Sequence, residues 1–146
     1  MNHEYFMSVA LAEAKKADAP YGAVIVKNGQ ILAKAGNTVQ RDCDPSAHAE
    51  MNAIRNMTNQ INSPSLAGYT LYATAEPCPM CATACIWAGI DDIIIGASIQ
   101  DLISYNQAQI NLACEEIIAK SFKDIKVTKG ILRQESLALF TQSQES

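Results

Sequence analysis

The sequence predicts an α/β fold of three layers, with helices on both faces of a central mixed sheet. Two observations support it: segments typical of strands alternate along the chain with segments of helical spacing, and an Asn-Gly pair at 28–29 joins the first two strands as a tight hairpin. With 146 residues, 49% of them hydrophobic, the chain can bury one core. We therefore expect residues 1–146 to form a single domain.

The first half of the chain predicts a helix, a hairpin, a second helix and a strand. Apolar residues recur at mostly helical spacing over 3–17, and Pro20 ends that segment. The hairpin strands read GAVIV and ILAKA, and the Asn-Gly pair between them tolerates the positive φ of a tight turn. A polar loop over 37–46 precedes a helix over 47–59, and TLYATA at 70–75 alternates like a strand.

The second half repeats the alternation of helix and strand. Residues 79–89 have the spacing of a helix that ends at Gly89, and the apolar run DIIIGAS is typical of a buried strand. We further expect a helix over 107–119, a strand at IKVTKG and a last helix over 131–141. Strands that alternate with helices in this way favour a sheet covered on both faces.

The charge of the chain favours a small substrate over a nucleic acid. The 11 Lys and Arg against 15 Asp and Glu give a net charge of −4, which lacks the positive footprint of a dedicated nucleic-acid binder. Lysines at 120, 123, 126 and 129 straddle a predicted helix end and a strand, so we interpret them as a solvated face rather than an RNA-binding stripe.

The apolar segments predict neither a membrane span nor a signal peptide. No apolar run approaches the roughly 20 residues that cross a bilayer, and the first residues carry acidic and polar groups where a signal peptide is apolar. We therefore expect a cytoplasmic protein with no membrane partner. The five cysteines should stay reduced there, so a C-x-x-C pair indicates metal binding or redox chemistry.

Two short motifs carry the candidate chemistry. His48 and Glu50 stand two positions apart where a helix begins, and Cys78 and Cys81 form a C-x-x-C pair where another helix begins. Both junctions lie where the chain passes into a helix, so the motifs can meet at one edge of the sheet. An imidazole nitrogen and two thiolates are ligands that zinc prefers, and three protein ligands leave a fourth position for water. The sequence therefore predicts a zinc site at His48, Cys78 and Cys81.

Glu50 and Cys85 bear on whether the predicted zinc site is catalytic or structural. Glu50 is poorly suited to complete the ligand shell, but beside a metal-activated water it can take a proton and deliver it elsewhere, which makes it the candidate catalytic residue. Cys85, four positions after Cys81, offers the alternative of a closed four-ligand zinc site in a non-catalytic binding module. Its place one turn deeper in the predicted helix favours a small buried side chain instead.

The two motifs together have a known counterpart. His48-Ala49-Glu50 and Pro77-Cys78-Pro79-Met80-Cys81 match the H-x-E and P-C-x-x-C signature of zinc deaminases. From residue 3 to about residue 100 the chain resembles the cytidine deaminase-like superfamily, especially the branch of bacterial guanine deaminases and tRNA adenosine deaminases. The resemblance implies a five-stranded sheet between helices, a zinc cofactor, a homodimer, and hydrolytic removal of an amino group from a ring carbon with release of ammonia.

The resemblance also implies substrate contacts. Asn37 matches the family's substrate-contacting asparagine, and Ala49 matches a residue whose backbone N–H contacts the bound base. Tyr21, in PYGAVIV, replaces a phenylalanine that lines the pocket in the guanine deaminase form PFGAV. Trp87 matches a pocket tryptophan of the same enzyme.

The stretch after the fourth strand, ASIQDLISYNQ, bears on the choice of substrate. It lacks the RDxKxGA pattern of tRNA adenosine deaminases, and the chain lacks their basic C-terminal tail, so we expect a free nucleobase or nucleoside, with a guanine-like purine favoured. Adenosine-to-inosine deamination at the wobble position of tRNA is the alternative. The candidates for reading the edge of the base are Asp101, Asn106, Gln107 and Gln109.

Overall fold

Five strands form one mixed sheet in the computed structural model, which describes residues 2–145 and the side chains up to Thr141. The strands are β1 (Gly22–Lys27), β2 (Gln30–Gly36), β3 (Thr70–Ala75), β4 (Asp92–Ala97) and β5 (Lys126–Thr128). The helices within the same range are α1 (His3–Lys16), α2 (Val39–Asp42), α3 (Ala49–Ile61), α4 (Pro79–Ala88), α5 (Ile99–Ser104), α6 (Cys114–Ala119) and α7 (Arg133–Glu145).

The strand order is β2-β1-β3-β4-β5, with β1 antiparallel to both of its neighbours and with β3, β4 and β5 parallel. The β1–β2 hairpin turns at Asn28 and Gly29, whose φ angles of 52° and 74° are the positive values that an Asn-Gly turn requires. Helix α4 connects β3 to β4, as parallel neighbours need a crossover. The predicted mixed α/β sheet of five strands is confirmed.

Two apolar clusters, one on each face of the sheet, hold the three layers together. Because successive side chains of a strand point to opposite faces, Val24 packs toward α1 and α7 while the adjacent Ile25 packs toward α3, α4 and α6. Full burial of each such side chain contributes roughly 1.5–3 kcal/mol to the free energy of folding. The first cluster contains Phe6, Met7, Leu11, Val24, Tyr72 and Ile94, and the second contains Ile25, Met57, Leu71, Ile86, Ile93 and Ile118.

The connection between β4 and β5 differs from the predicted helix over 107–119. A capping box begins α5 directly after β4, because Ser98 Oγ accepts from the Asp101 N–H and the Asp101 carboxylate accepts from the Ser98 N–H. The chain leaves the helix near Asn106, which has a φ of 61°. Residues 107–113 are irregular, and α6 begins only at Cys114.

The two candidate motifs lie at the first turns of α3 and α4. His48 is the N-cap of α3, and Cys78 is the N-cap of α4. Pro79 occupies the start of α4, where its missing N–H has no helical partner to lose, and Gly89 ends the helix with a φ of 79°. Within residues 2–145, no helix is long and apolar enough to cross a membrane.

Candidate active site

His48, Cys78 and Cys81 bring three metal-ligating atoms together. His48 Nδ1 lies 3.6 Å from Cys78 Sγ and 3.6 Å from Cys81 Sγ, and the three atoms all lie within 4.8 Å of one another. Among the side chains that the structure describes, this is the one group of three or more His, Cys, Asp or Glu residues close enough to hold a metal ion.

The donor atoms and their spacing fit zinc. Zinc binds thiolate sulfur at about 2.3 Å and imidazole nitrogen at about 2.0–2.1 Å, and a tetrahedral angle between such bonds implies a nitrogen–sulfur separation of about 3.6 Å. That is the distance between His48 Nδ1 and each sulfur. Three protein ligands leave a fourth position open, as in catalytic rather than structural zinc sites.

The two cysteines differ in protonation. Hydrogen bonds from Cys81 and from His48 lower the pKa of Cys78 to about 4, although burial acts in the opposite direction. The pKa of Cys81 is raised, because its thiol donates to the Cys78 thiolate and is buried. The hydrogen bond to Cys78 also raises the pKa of His48. A metal that binds both sulfurs therefore releases a proton from Cys81.

Glu50, in the first turn of α3, is a buried carboxyl group beside the metal-ligand candidates. Burial is the main cause that raises its pKa to about 7, and the negative charge of Cys78 acts in the same direction. A carboxyl group with a pKa near neutral can both accept and donate a proton, which is what general acid–base chemistry requires.

A cavity of about 130 Å³ opens beside these residues. Gln109 Nε2 donates to the Tyr21 hydroxyl at 3.3 Å, so the two side chains join across part of the cavity wall. The Phe140 ring packs edge-on against Tyr21, and burial raises the pKa of Tyr21 to about 12, which keeps the phenol neutral. The lining residues are Tyr21, Asn37, His48, Glu50, Glu76, Cys78, Ala108 and Gln109.

Two of the four predicted substrate contacts line this cavity. Tyr21 and Asn37 are both in its wall, and Asn37 Oδ1 accepts a hydrogen bond from the Val39 N–H at 3.1 Å, which orients the amide. Ala49 is the first residue of α3 and is fully buried, outside the set of lining residues. The contact of its backbone N–H with a base stays a prediction.

Trp87 does not lie where the resemblance implies. Its side chain is 77% exposed and packs on Phe122, which is 72% exposed, with ring centroids 5.1 Å apart. The buried face of α4 includes Cys81, Cys85 and Ile86, and helical periodicity turns position 87 away from that face. The expectation that Trp87 lines the pocket is corrected for this chain, in which it belongs to the surface.

Of the four candidates for reading the base edge, Gln109 alone is among the lining residues. Asp101 caps α5 and forms an ion pair with Arg133. Asn106 takes the left-handed conformation after α5, and Gln107 Nε2 donates to the Tyr105 carbonyl. The irregular path of 107–113 brings Gln109 to the cavity, because a helix there would have given these side chains other directions.

Glu76 is a cavity residue that the sequence reasoning missed. Its carboxylate is buried at the end of β3, and it accepts hydrogen bonds from the N–H groups of Ile99 and Cys114. The sequence did offer a signal for Glu76, because an acidic residue stands directly before Pro77-Cys78, between a predicted buried strand and a helix. Acidic residues are rarely buried unless they have a partner, so this position indicated a functional or structural role.

Cys85 stands apart from the three metal-ligand candidates. It is fully buried within the apolar cluster of α3, α4 and α6, and burial raises the pKa of its thiol. It does not belong to the metal-binding group, so the described side chains give a three-ligand site rather than a closed four-ligand one.

Comparison with known proteins identifies relatives of two substrate classes. A family profile described as the cytidine and deoxycytidylate deaminase zinc-binding region matches residues 1–97. A tRNA-specific adenosine deaminase of Aquifex aeolicus is 46% identical over 101 residues, 66% of this chain and 67% of that protein. A tRNA-specific adenosine deaminase of Buchnera aphidicola is 36% identical over 138 residues, 90% of this chain and 82% of that protein. A guanine deaminase of Bacillus subtilis is 43% identical over 93 residues, which are 60% of this chain and 60% of that protein. This match therefore covers less than two thirds of the guanine deaminase.

Solved structures match the fold over nearly the whole chain. A structure from a study of A-to-I editing by tRNA:A34 deaminases superposes with a TM-score of 0.82 at 30% identity and covers 92% of this chain and 98% of that one. The structure of Bacillus subtilis guanine deaminase superposes with a TM-score of 0.69 at 32% identity and covers 100% of this chain and 96% of that one. Proteins of both substrate classes therefore share this architecture.

Proposed function

We propose that this chain, which belongs to the cytidine and deoxycytidylate deaminase family, removes the amino group of a free nucleobase or nucleoside by hydrolysis, with a guanine-like purine favoured. The observation that carries the proposal is the cavity of about 130 Å³, with His48, Cys78 and Glu50 in its wall together with the joined side chains of Tyr21 and Gln109. One domain, residues 1–146, carries the activity in the cytoplasm with zinc as its cofactor.

Each residue of the site has a role in this reaction. His48, Cys78 and Cys81 would hold zinc, which when bound would supply a Lewis acid that lowers the pKa of water beside the amino-bearing ring carbon. Glu50 takes up a proton during the attack and returns protons to the ring nitrogen and to the leaving amino group. Water and substrate thus yield ammonia and a ring in which an oxo group replaces the amino group.

The cavity walls favour a single base. Tyr21 offers a flat aromatic surface that is held in place by Phe140 and by the hydrogen bond from Gln109. Asn37 and Gln109 each carry an amide with both donor and acceptor atoms, which suits the mixed donor and acceptor edge of a base.

The charges on the surface also favour a small substrate. Lys123 Nζ lies 2.7 Å from Asp91 Oδ1, and Lys129 pairs with Glu115, so acidic partners neutralise two of the lysines between 120 and 129. RNA-binding proteins neutralise phosphates with cationic side chains and thereby release the counterions that are condensed on the nucleic acid. Two of the four lysines are thus paired with carboxylates, which supports a small substrate over a tRNA backbone.

Deamination of adenosine at the wobble position of tRNA is the second candidate. The observation in its favour is that the relatives from Aquifex aeolicus and Buchnera aphidicola are tRNA-specific adenosine deaminases at 46% and 36% identity. The charge distribution is the reason to place it second.

We also propose that the protein is a homodimer that uses the exposed pair of Trp87 and Phe122. Aromatic residues are enriched at protein–protein interfaces, and two adjacent rings that are each more than 70% exposed form an apolar surface feature.

A panel of substrates tests the proposed function. Zinc-loaded protein is incubated with guanine, cytosine, adenine, isoguanine, their nucleosides and tRNA, and both ammonia release and inosine at the wobble position are measured. We expect ammonia from at least one free base or nucleoside, and a fall of at least roughly a hundredfold in kcat for Glu50→Gln, which keeps the size of the side chain but cannot transfer the proton.

Two results of the panel would contradict the proposal. Inosine in tRNA with no ammonia from any free base or nucleoside would favour the second candidate. A Glu50→Gln variant as active as the parent would show that another group transfers the proton.

A further inference from the structure

We propose that Glu76 is a positioning residue, which holds the segment between β4 and β5 against the cavity so that Gln109 meets the substrate. The inference deepens the proposed function and rests on it, because it assigns to this segment the binding of the free base. The proposed function assigns the proton transfers to Glu50, and the role inferred for Glu76 is to set the geometry of the site.

The Glu76 carboxylate joins the two ends of one stretch of chain. Its Oε1 accepts a hydrogen bond from the N–H of Ile99 at 3.0 Å, and its Oε2 accepts one from the N–H of Cys114 at 2.7 Å. Ile99 is the first residue of α5, and Cys114 is the first residue of α6. One side chain therefore clamps both ends of residues 99–113.

Side-chain hydrogen bonds from Gln109 to Tyr21 and from Gln100 to Asn111 contact the residues between these two points, but apolar burial does not anchor their middle. Residues 107–113 form neither helix nor strand, and Ile110 and Leu112 in their midst are exposed, so burial of those two side chains does not hold the segment down. Ala108 and Gln109 nevertheless line the cavity. Fixing both ends of a segment reduces the conformations available to its middle, which here carries the cavity residues.

The charge of Glu76 suits its position. The first N–H groups of a helix lack acceptors within that helix and carry a partial positive charge. Both hydrogen bonds of Glu76 are buried, where an unpaired N–H is costly and a charged acceptor makes the stronger bond. The backbone of Glu76 is fixed as well, because its N–H donates to the Ala97 carbonyl at 2.8 Å, where β3 and β4 end.

Glu76→Gln tests the inference, because the amide keeps the size of the side chain but turns an NH2 group toward one of the two backbone donors. We expect KM for the free base to rise at least about tenfold while kcat changes less than about threefold, with unchanged zinc content. Hydrogen exchange of the amides in residues 99–114 should accelerate at least about tenfold, while exchange in β1 and β3 stays as in the parent.

The matched control is Glu116→Gln, which removes an exposed charge from the first turn of α6 without touching these hydrogen bonds. We expect neither KM nor amide exchange to change. Should Glu76→Gln fail to fold, Glu76→Asp is the second variant, since it keeps the charge but is too short to reach both N–H groups; the same changes are expected.

Parent-like exchange in residues 99–114 of the folded Glu76 variant would overturn the inference. A fall in kcat at constant KM would overturn it too, since Glu76 would then be a catalytic residue. A parent protein that acts on no free base or nucleoside would refute the proposed function, whereas the exchange measurement would still decide whether Glu76 anchors the segment.

Discussion

The reactive side chains owe their properties to neighbours that the fold brings within a few ångströms. Burial raises the pKa of Glu50 to about 7, whereas hydrogen bonds lower the pKa of Cys78 to about 4. His48 Nδ1 lies 3.6 Å from both sulfurs. A buried carboxyl group with a pKa near neutral therefore lies beside three candidate metal-ligating atoms.

Removal of one sulfur tests the assignment of the metal ligands. Cys78→Ala leaves two protein ligands, too few for tight zinc binding, so we expect the purified variant to lose most of the roughly one zinc per chain that the parent holds. Elemental analysis of the dialysed proteins measures the loss. Cys85→Ala is the matched control, because it makes the same change on the same helix at a sulfur outside the group, and it should keep its zinc.

Two outcomes would contradict this assignment. Full zinc retention in Cys78→Ala would mean that other residues hold the metal. Zinc loss in Cys85→Ala would favour the closed four-ligand site and a structural role for the metal.

Local spacing explains why the sequence could predict that the candidate metal ligands lie together, while it could not predict the cavity wall. His48 and Glu50 are two positions apart at one helix start, and Cys78 and Cys81 share one helical turn, so each pair is placed by local structure alone. The Tyr21–Gln109 hydrogen bond joins residues that are 88 positions apart. It depends on the irregular path of 107–113, which no periodic pattern describes.

At the scale of elements, the start of α5 decides the course of the chain between β4 and β5. The S-x-x-D sequence at Ser98 to Asp101 forms a capping box and begins a helix that the apolar pattern did not reveal. Arg133, the first residue of α7, then forms two hydrogen bonds with the Asp101 carboxylate at 2.8 and 2.7 Å. Asp101 thereby ties α5 to α7.

The stability that this tie contributes should depend on pH. The Arg133 guanidinium is the main cause that lowers the pKa of Asp101 from 3.8 to about 2, so the contribution is complete above pH 3.8 and is lost as the pH falls toward 2. Because Arg133 is partly exposed, we expect Asp101→Asn to lower the free energy of unfolding at pH 7 by only about 1 kcal/mol. Urea unfolding of parent and variant at pH 7 and at pH 2 measures the difference.

The difference between parent and Asp101→Asn should approach zero at the lower pH. Glu116→Gln, which removes an exposed carboxylate, is the control and should match the parent at both pH values. If Asp101→Asn lowers the free energy of unfolding equally at both pH values, the ion pair with Arg133 is not the cause of the lower stability.

At the scale of the whole molecule, the layers follow from the sequence but the surface does not. Alternation of strand and helix patterns and an Asn-Gly turn were enough to predict a mixed sheet with helices on both faces. The contact of Trp87 with Phe122 joins α4 to the turn after α6, and neither residue signals its partner in the sequence. Only the resemblance to guanine deaminase predicted that Trp87 lines the pocket.

The exposed aromatic pair predicts how the proposed dimer responds to substitution. In a twofold dimer each protomer presents the same patch, so one substitution removes two copies of a side chain whose burial is worth roughly 1.5–3 kcal/mol. Since about 1.4 kcal/mol is tenfold in Kd, we expect Phe122→Ser to weaken the dimer at least about a hundredfold in sedimentation equilibrium. Tyr5→Ser removes another exposed aromatic ring, on α1 across the sheet, and should leave the Kd unchanged. A parent that stays monomeric, or equal weakening by both variants, would show that Trp87 and Phe122 do not form the interface.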